Sequence, residues 1–457
     1  MEIRPFLTSY DPSDLPSASI DPLGFERGYL LLAEKMLPGL TNVANRPRYF
    51  SLLCLGASLA PDSGDLSPVK LKRNRENTIL GLERLWTLGC VLASRKAGAS
   101  YDPQAASGPV PATPPLELWG LRGITYSASK ADELSQKNAP RTDGNYKLLL
   151  HQARYGVLGI YGVVADSLRL WDRTQAELTH DLGHRLAEVF KKETSFPTEI
   201  ARTVLEDHSV MVTTLASWGA RAHLDGTIGV NEAECFHEAL HSNSVRSRMA
   251  VLLESHPFKD RDDELSRLRR IRSSIESASP DQDLAETIDM ILAYENFYGL
   301  ALLGFERLLW LCRTLPGGGA SLNDVKKDSV LIGLRNQIST AVKKMFYSLE
   351  QGETEHFRRD IGRLDDAMQF ARKLSESVSD SVEMVFTLMA RHTDVQHGKF
   401  DQGRRKSPWV ELASDHIALT MGRVGGLNRE AISPDQIARH PYRLGAADAL
   451  IRAARKQ

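Results

Sequence analysis

DLAETIDMILAYENFYGLALLGFERLLWLCRT, residues 283–314, decides the fold class. The run is too long for a strand and contains no proline, and its apolar residues spread around the helical wheel rather than along one stripe. Length and pattern together specify a helix, and one so apolar must be enclosed by others. It stops at PGGGA, residues 316–320, the clearest break in the chain. The run does not read as a membrane span. Its most apolar part, NFYGLALLGF at 296–305, is closed by Glu306 and Arg307, well short of about 18 uncharged apolar residues. GVLGIYGVVA at 156–165 is closed in the same way by Asp166.

The neighbouring segments have helical patterns too. Residues 25–37 stop at Pro38-Gly39, and RPRYFSLLCLGASLA at 46–60 stops before Pro61. Residues 75–94 place Ile79, Leu82, Leu85, Trp86 and Val91 on one broad apolar face. Residues 145–172 read as one long helix or two, and Thr174 with Glu177 reads as a capping box for a helix over 176–192. Further helices are expected over 197–206, 209–221, 231–241, 244–255, 261–277, 322–350, 354–375, 378–395 and 444–455. Strand signals are confined to a short extended piece, PWVELA, at 408–413. There is no β-α alternation and no glycine-rich loop after a strand, which argues against Rossmann and P-loop cores. The expected fold is all-α: a multi-helix bundle or irregular helical array with at most a minor β element near the C-terminus.

A chain of 457 residues exceeds what one core usually serves. The break at 316–320 suggests an N-terminal helical domain, 1–315, and a C-terminal one, 321–457. Residues 95–115, rich in Pro, Gly, Ala and Ser, are expected to form a flexible loop. Lys plus Arg total 57 and Asp plus Glu 58, so binding to DNA, RNA or an anionic surface must come from a local patch. The four cysteines, Cys54, Cys90, Cys235 and Cys312, form no C-x-x-C pair and fit buried thiols in a reducing compartment. The first residues carry no apolar stretch behind a basic start, so a cytoplasmic location is expected.

Three places carry chemistry-bearing residues. ECFHEALHSN at 234–243 holds His237, Glu238 and His241 in the order H-E-x-x-H, the helical pattern of zinc peptidases. In those enzymes the two histidines bind zinc and the glutamate acts as general base. The surroundings favour a plainer reading, an amphipathic helix with Phe236 and Leu240 inward, because charged residues precede the motif and the extended third-ligand pattern is absent. No cofactor is therefore expected, with zinc as the alternative. ANRPRYFSL sets Arg46 and Arg48 beside Tyr49, a pairing that suits stacking on bases or on a partner, or cations lying over a core helix. GKFDQGRRKSPWVEL combines glycines, Arg404, Arg405, Lys406 and Trp409, which suits phosphate contact or docking on an acidic protein surface. There is no nucleophile elbow and no paired-carboxylate signature.

Four separated blocks, GLTNVANRPRYFSLLCLGASLA, CFHEALHSNSVRSRMAVLLES, DQGRRKSPWVELAS and RHPYRLGAADALI, resemble a loose group of uncharacterised bacterial helical proteins. Members of that group are encoded in anti-phage defence or restriction clusters, beside ATPases, helicases or nucleases. The resemblance implies a helical fold and a role as a subunit of a defence complex. It transfers no functional residues. The expected function is a non-enzymatic binding subunit that engages a partner protein, nucleic acid, or both. The alternatives are a zinc-dependent hydrolase built on the H-E-x-x-H segment and a purely structural scaffold.

Overall fold

The computed structural model describes residues 21–61, 66–98, 118, 120–179, 181–206, 208–259, 263–275, 280–315, 319–350, 364–401, 404–420 and 439–455. Most of the expected loop at 95–115 and the start of the helix expected over 354–375 lie outside these residues. Over the described residues the protein is predominantly helical, with small antiparallel strand pieces. No described helix is long and apolar enough to cross a membrane. Two compact units share the chain. Among the described residues, one is built from Leu37–Glu254 and the segment that begins at Arg443; the other is built from residues 21–36 and from Ser255–Tyr442.

In the second unit, α1 (Glu26–Met36) packs on the helix that the sequence singled out. Of its other helices, α13 spans Glu264–Ser274 and α14 spans Gln282–Thr314. Then come α15 (Leu322–Lys327), α16 (Ser329–Glu350), α17 (Asp365–Ser377) and α18 (Ser381–His397). At 33 residues, α14 is about 50 Å long. It buries residues on most of its circumference, from Leu284 to Cys312, against α1, α13, α16 and α18. Tyr294 ties it to α1 by donating its hydroxyl hydrogen to the Phe25 carbonyl at 2.7 Å. The helix expected over 322–350 is two helices, because Asp328 ends one and starts the next. Its carboxylate accepts from the Leu331 N–H and pairs with Arg307 at 2.7 Å.

The glycine break at 316–320 does not part the units. Strand β5 (Gly319–Ser321) joins β9 (His416–Leu419) and β8 (Val410–Ala413) in one antiparallel sheet of order β5-β9-β8, inside the second unit. This sheet contains residues 410–413 of the extended piece expected at 408–413. A separate two-stranded hairpin, β6 (Phe400–Asp401) and β7 (Arg404–Arg405), precedes it.

The first unit is organised on α3 (Pro68–Lys96), which starts with Pro68 in the first turn, where a missing N–H costs nothing. Against α3 pack α2 (Arg48–Leu59), α4 (Ile124–Gln136), α9 (Thr198–Leu205) and α10 (Val212–Arg221), and a short antiparallel pair, β1 (Arg141–Thr142) with β4 (Val210–Met211), leads into α10. The α3–α10 crossing is close because both helices carry glycine there. A Cβ on Gly219 would lie 2.1 Å from the Gly89 carbonyl carbon. Trp86 closes the same seam by donating its indole N–H to the Ala222 carbonyl at 2.8 Å.

The helix expected over 145–172 is instead three short helices, α5 (Gln152–Tyr155), α6 (Val157–Ile160) and α7 (Gly162–Ser167). The break at Gly156 has a physical cause. There the chain turns extended, and the buried Glu83 carboxylate accepts the Val157 N–H at 2.7 Å and a Gln152 amide hydrogen at 2.8 Å. Burial pushes the Glu83 carboxyl up to about 7, against those hydrogen bonds. Thr174 and Glu177 do not form a capping box. They lie in the hairpin of β2 (Trp171–Asp172) and β3 (Glu177–Leu178), whose turn is held by Asp172 accepting from the Thr174 and Gln175 N–H groups. Helix α8 therefore begins only at Leu182 and runs to Glu193. Beyond it α11 (Val230–His241) packs on α8 and on α19 (Leu444–Ala454), while α12 (Ser244–Ser255) follows directly. All four cysteines are buried and free, and burial pushes the Cys90 thiol up to about 12.

Candidate functional site

The pair expected to face a ligand from α2 is inside the protein. Arg48 is 2% exposed and makes an ion pair of 3.0 Å with Glu232 on α11, which is fully buried. Its guanidinium also donates to the Thr227 carbonyl at 2.5 Å and lies over the Phe190 ring. Ser51 donates to the other Glu232 oxygen at 2.6 Å. Burial raises the Glu232 carboxyl above its ordinary range, while Arg48 opposes the shift. Tyr49 stacks on Tyr161, with ring centres 4.4 Å apart, and meets Trp86 edge-on. Its hydroxyl accepts the Arg122 N–H at 2.7 Å. Arg48 and Tyr49 are core groups, which corrects their expected role as contacts. Only Arg46 of this set reaches solvent, and it pairs with Asp225 at 2.6 Å.

The H-E-x-x-H segment forms the last two turns of α11. Phe236 and Leu240 point inward, 0% and 2% exposed, and each burial contributes about 2 kcal/mol. On the opposite side His237 and Glu238 are exposed and His241 is half-buried. The two imidazoles lie side by side, with ring centres 4.4 Å apart. His241 Nδ1 is 2.6 Å from the Ser247 hydroxyl on α12. Burial lowers the His241 pKa, and the neighbouring His237 adds to the effect. Glu238 Oε2 accepts from Arg185 of α8 at 2.7 Å, in an ion pair about half exposed to solvent. This contact raises the Arg185 pKa.

His237, Glu238, His241 and Arg185 border an open cleft of about 1310 Å³ in the first unit, with Trp171 and Leu182 as apolar lining. Five carboxylates line it, those of Asp166, Asp172, Asp181, Glu234 and Glu238, against the guanidiniums of Arg169 and Arg185. Among the described residues no three His, Cys, Asp or Glu side chains converge to hold a metal ion. The sequence marked His237, Glu238 and His241 but missed Arg185 and Ser247, because contacts between helices leave no local pattern.

The third set belongs to the second unit. Strands β6 and β7 form a hairpin whose base is closed by the Lys406 N–H donating to the Lys399 carbonyl at 3.0 Å. Arg405 is exposed and Lys406 half-buried. Lys399 donates to the Asp21 carbonyl at 2.8 Å. Burial lowers its pKa; the nearby Asp21 opposes this and Lys406 adds to it. Trp409 is half-buried against His392, at 4.9 Å between ring centres. Its backbone N–H donates to His392 Nε2 at 3.0 Å, while His392 Nδ1–H donates to the Pro22 carbonyl at 2.9 Å. Both nitrogens are thus matched by the neutral imidazole, and burial lowers the His392 pKa to about 4. Trp409 therefore anchors the chain just after the hairpin, beside the exposed Arg405; the Arg404 side chain lies outside the described residues.

Compared with family models, curated proteins and solved structures, the chain has no match.

Proposed function

We propose that this protein acts by binding, as a non-enzymatic helical subunit of a bacterial anti-phage defence assembly, and that the hairpin at 399–406 engages the phosphate backbone of a nucleic acid. The observation that carries this reading is the hairpin itself. Its sequence places Arg404, Arg405 and Lys406 in succession, and its base is fixed by His392, Trp409 and Lys399. Successive cations on and just after a strand whose base is tied down suit phosphate contact, which positions a protein on a nucleic acid without reading its sequence. The block DQGRRKSPWVELAS, one of those that resemble proteins of defence clusters, spans this hairpin and supports the assignment. The zinc hydrolase alternative is not favoured, because the glutamate it needs as a base is held by Arg185.

Mixing the purified full chain with double- and single-stranded DNA and RNA at low and moderate salt tests the proposal. Binding is expected at low salt, weakened by Arg404→Ala with Arg405→Ala. No binding to any of the four at low salt, or binding indifferent to the double variant, removes the hairpin from this role.

A further inference from the structure

We propose that His237 and His241 form a two-point site for a divalent first-row transition-metal ion, on the cleft wall of the first unit. This inference does not rest on the hairpin reading, because the hairpin belongs to the other unit.

The spacing suits a chelate. The two residues stand one turn apart on α11, a regular helix whose inner face is locked by Phe236 and Leu240. Their ring centres lie 4.4 Å apart with the planes tilted by 37°, close enough for side-chain rotation to bring one nitrogen of each onto a single ion with metal–nitrogen bonds of about 2.1 Å. A second contact points the same way. Histidines that ligate metals usually donate their other ring N–H to an oxygen, which fixes ring and tautomer. His241 Nδ1 has such an oxygen, Ser247 Oγ at 2.6 Å. With the proton on Nδ1, the Nε2 lone pair is the one that binds the ion. Glu238 is not counted among the ligands, because its carboxylate is directed to Arg185. The site differs in this from a peptidase centre: it binds an ion without a positioned general base, and water completes the coordination. Imidazole ligands favour copper, with nickel and zinc weaker and magnesium excluded.

The test uses the full chain without an affinity tag, stripped of metal and titrated with Cu²⁺, Zn²⁺ and Mg²⁺ by calorimetry. One Cu²⁺ per chain is expected, bound more tightly than Zn²⁺, with no response to Mg²⁺. His237 is exposed, so His237→Ala leaves the core intact, and it is expected to abolish the one-to-one binding. Ser247→Ala is expected to weaken it about tenfold, and Glu238→Gln to leave it unchanged. No binding of Cu²⁺ or Zn²⁺ by the wild type overturns the proposal. So does one-to-one binding that survives His237→Ala.

Discussion

A single residue can look the same in sequence whether it faces solvent or core. Arg48 and Tyr49 sit in a segment where cations adjoin aromatics, and local pattern cannot tell a contact patch from an internal pair. What decides is Glu232, far along the chain, which Arg48 meets once α11 packs. Removing one member of a buried ion pair leaves the other charge uncompensated. Arg48→Ala is therefore expected to lower unfolding free energy by about 3–5 kcal/mol, whereas replacing both partners with apolar residues costs far less. Denaturant unfolding of the single and double variants checks this. A second test at this scale concerns His392. Its folded pKa, about 4, lies below the ordinary histidine value of 6.5, so the folded state binds fewer protons between those limits. The stabilisation is complete above 6.5 and is lost as pH falls toward 4. Between pH 7 and pH 5 the loss is on the order of 2 kcal/mol. The thermal midpoint of the wild type should fall more steeply over that range than that of His392→Gln. Equal slopes would contradict the neutral, doubly bonded imidazole.

At the scale of elements, the long and strongly apolar segments were legible. The run at 283–314 is legible as a buried helix because it is apolar on most of its circumference, a pattern that needs enclosing partners whichever they are. The segment 145–172 and the pair Thr174 and Glu177 depart from the helical expectation for opposite reasons. The first is broken by the Glu83 carboxylate, 74 residues before the Val157 N–H that it captures. The second is a local ambiguity, since an acidic or hydroxyl side chain bonding to nearby N–H groups serves a turn as well as a helix start. Contacts between elements also explain glycines that local propensity would disfavour. Gly219 on α10 faces the Gly89 backbone of α3 with no room for a methyl group. Gly219→Ala is expected to destabilise the protein by about 1–3 kcal/mol through forced separation of the two helices. A Gly219→Ala protein as stable as the wild type would show that the crossing relaxes freely.

For the whole molecule, composition and helical periodicity led to the all-α class, but not to how the chain divides. The glycine break at 316–320 looked like a boundary because nothing local marks its strand. Gly319–Ser321 pairs with His416–Leu419, and Cys312 Sγ donates to the Ile417 carbonyl across 105 residues, so the break is stitched into one unit. The candidate sites were partly legible for the same reason. The residues of the H-E-x-x-H segment and of the basic hairpin were visible, whereas the groups that decide their chemistry, Arg185, Ser247 and His392, come from other helices. The central claim is that Arg404, Arg405 and Lys406 contact phosphates, and the salt dependence of duplex DNA affinity tests it most directly. Three phosphate contacts give a slope of log K against log salt of about −2.7, and Arg404→Ala with Arg405→Ala should reduce its magnitude by about 1.8. A slope near zero in the wild type, or the same slope in the double variant, would contradict the account.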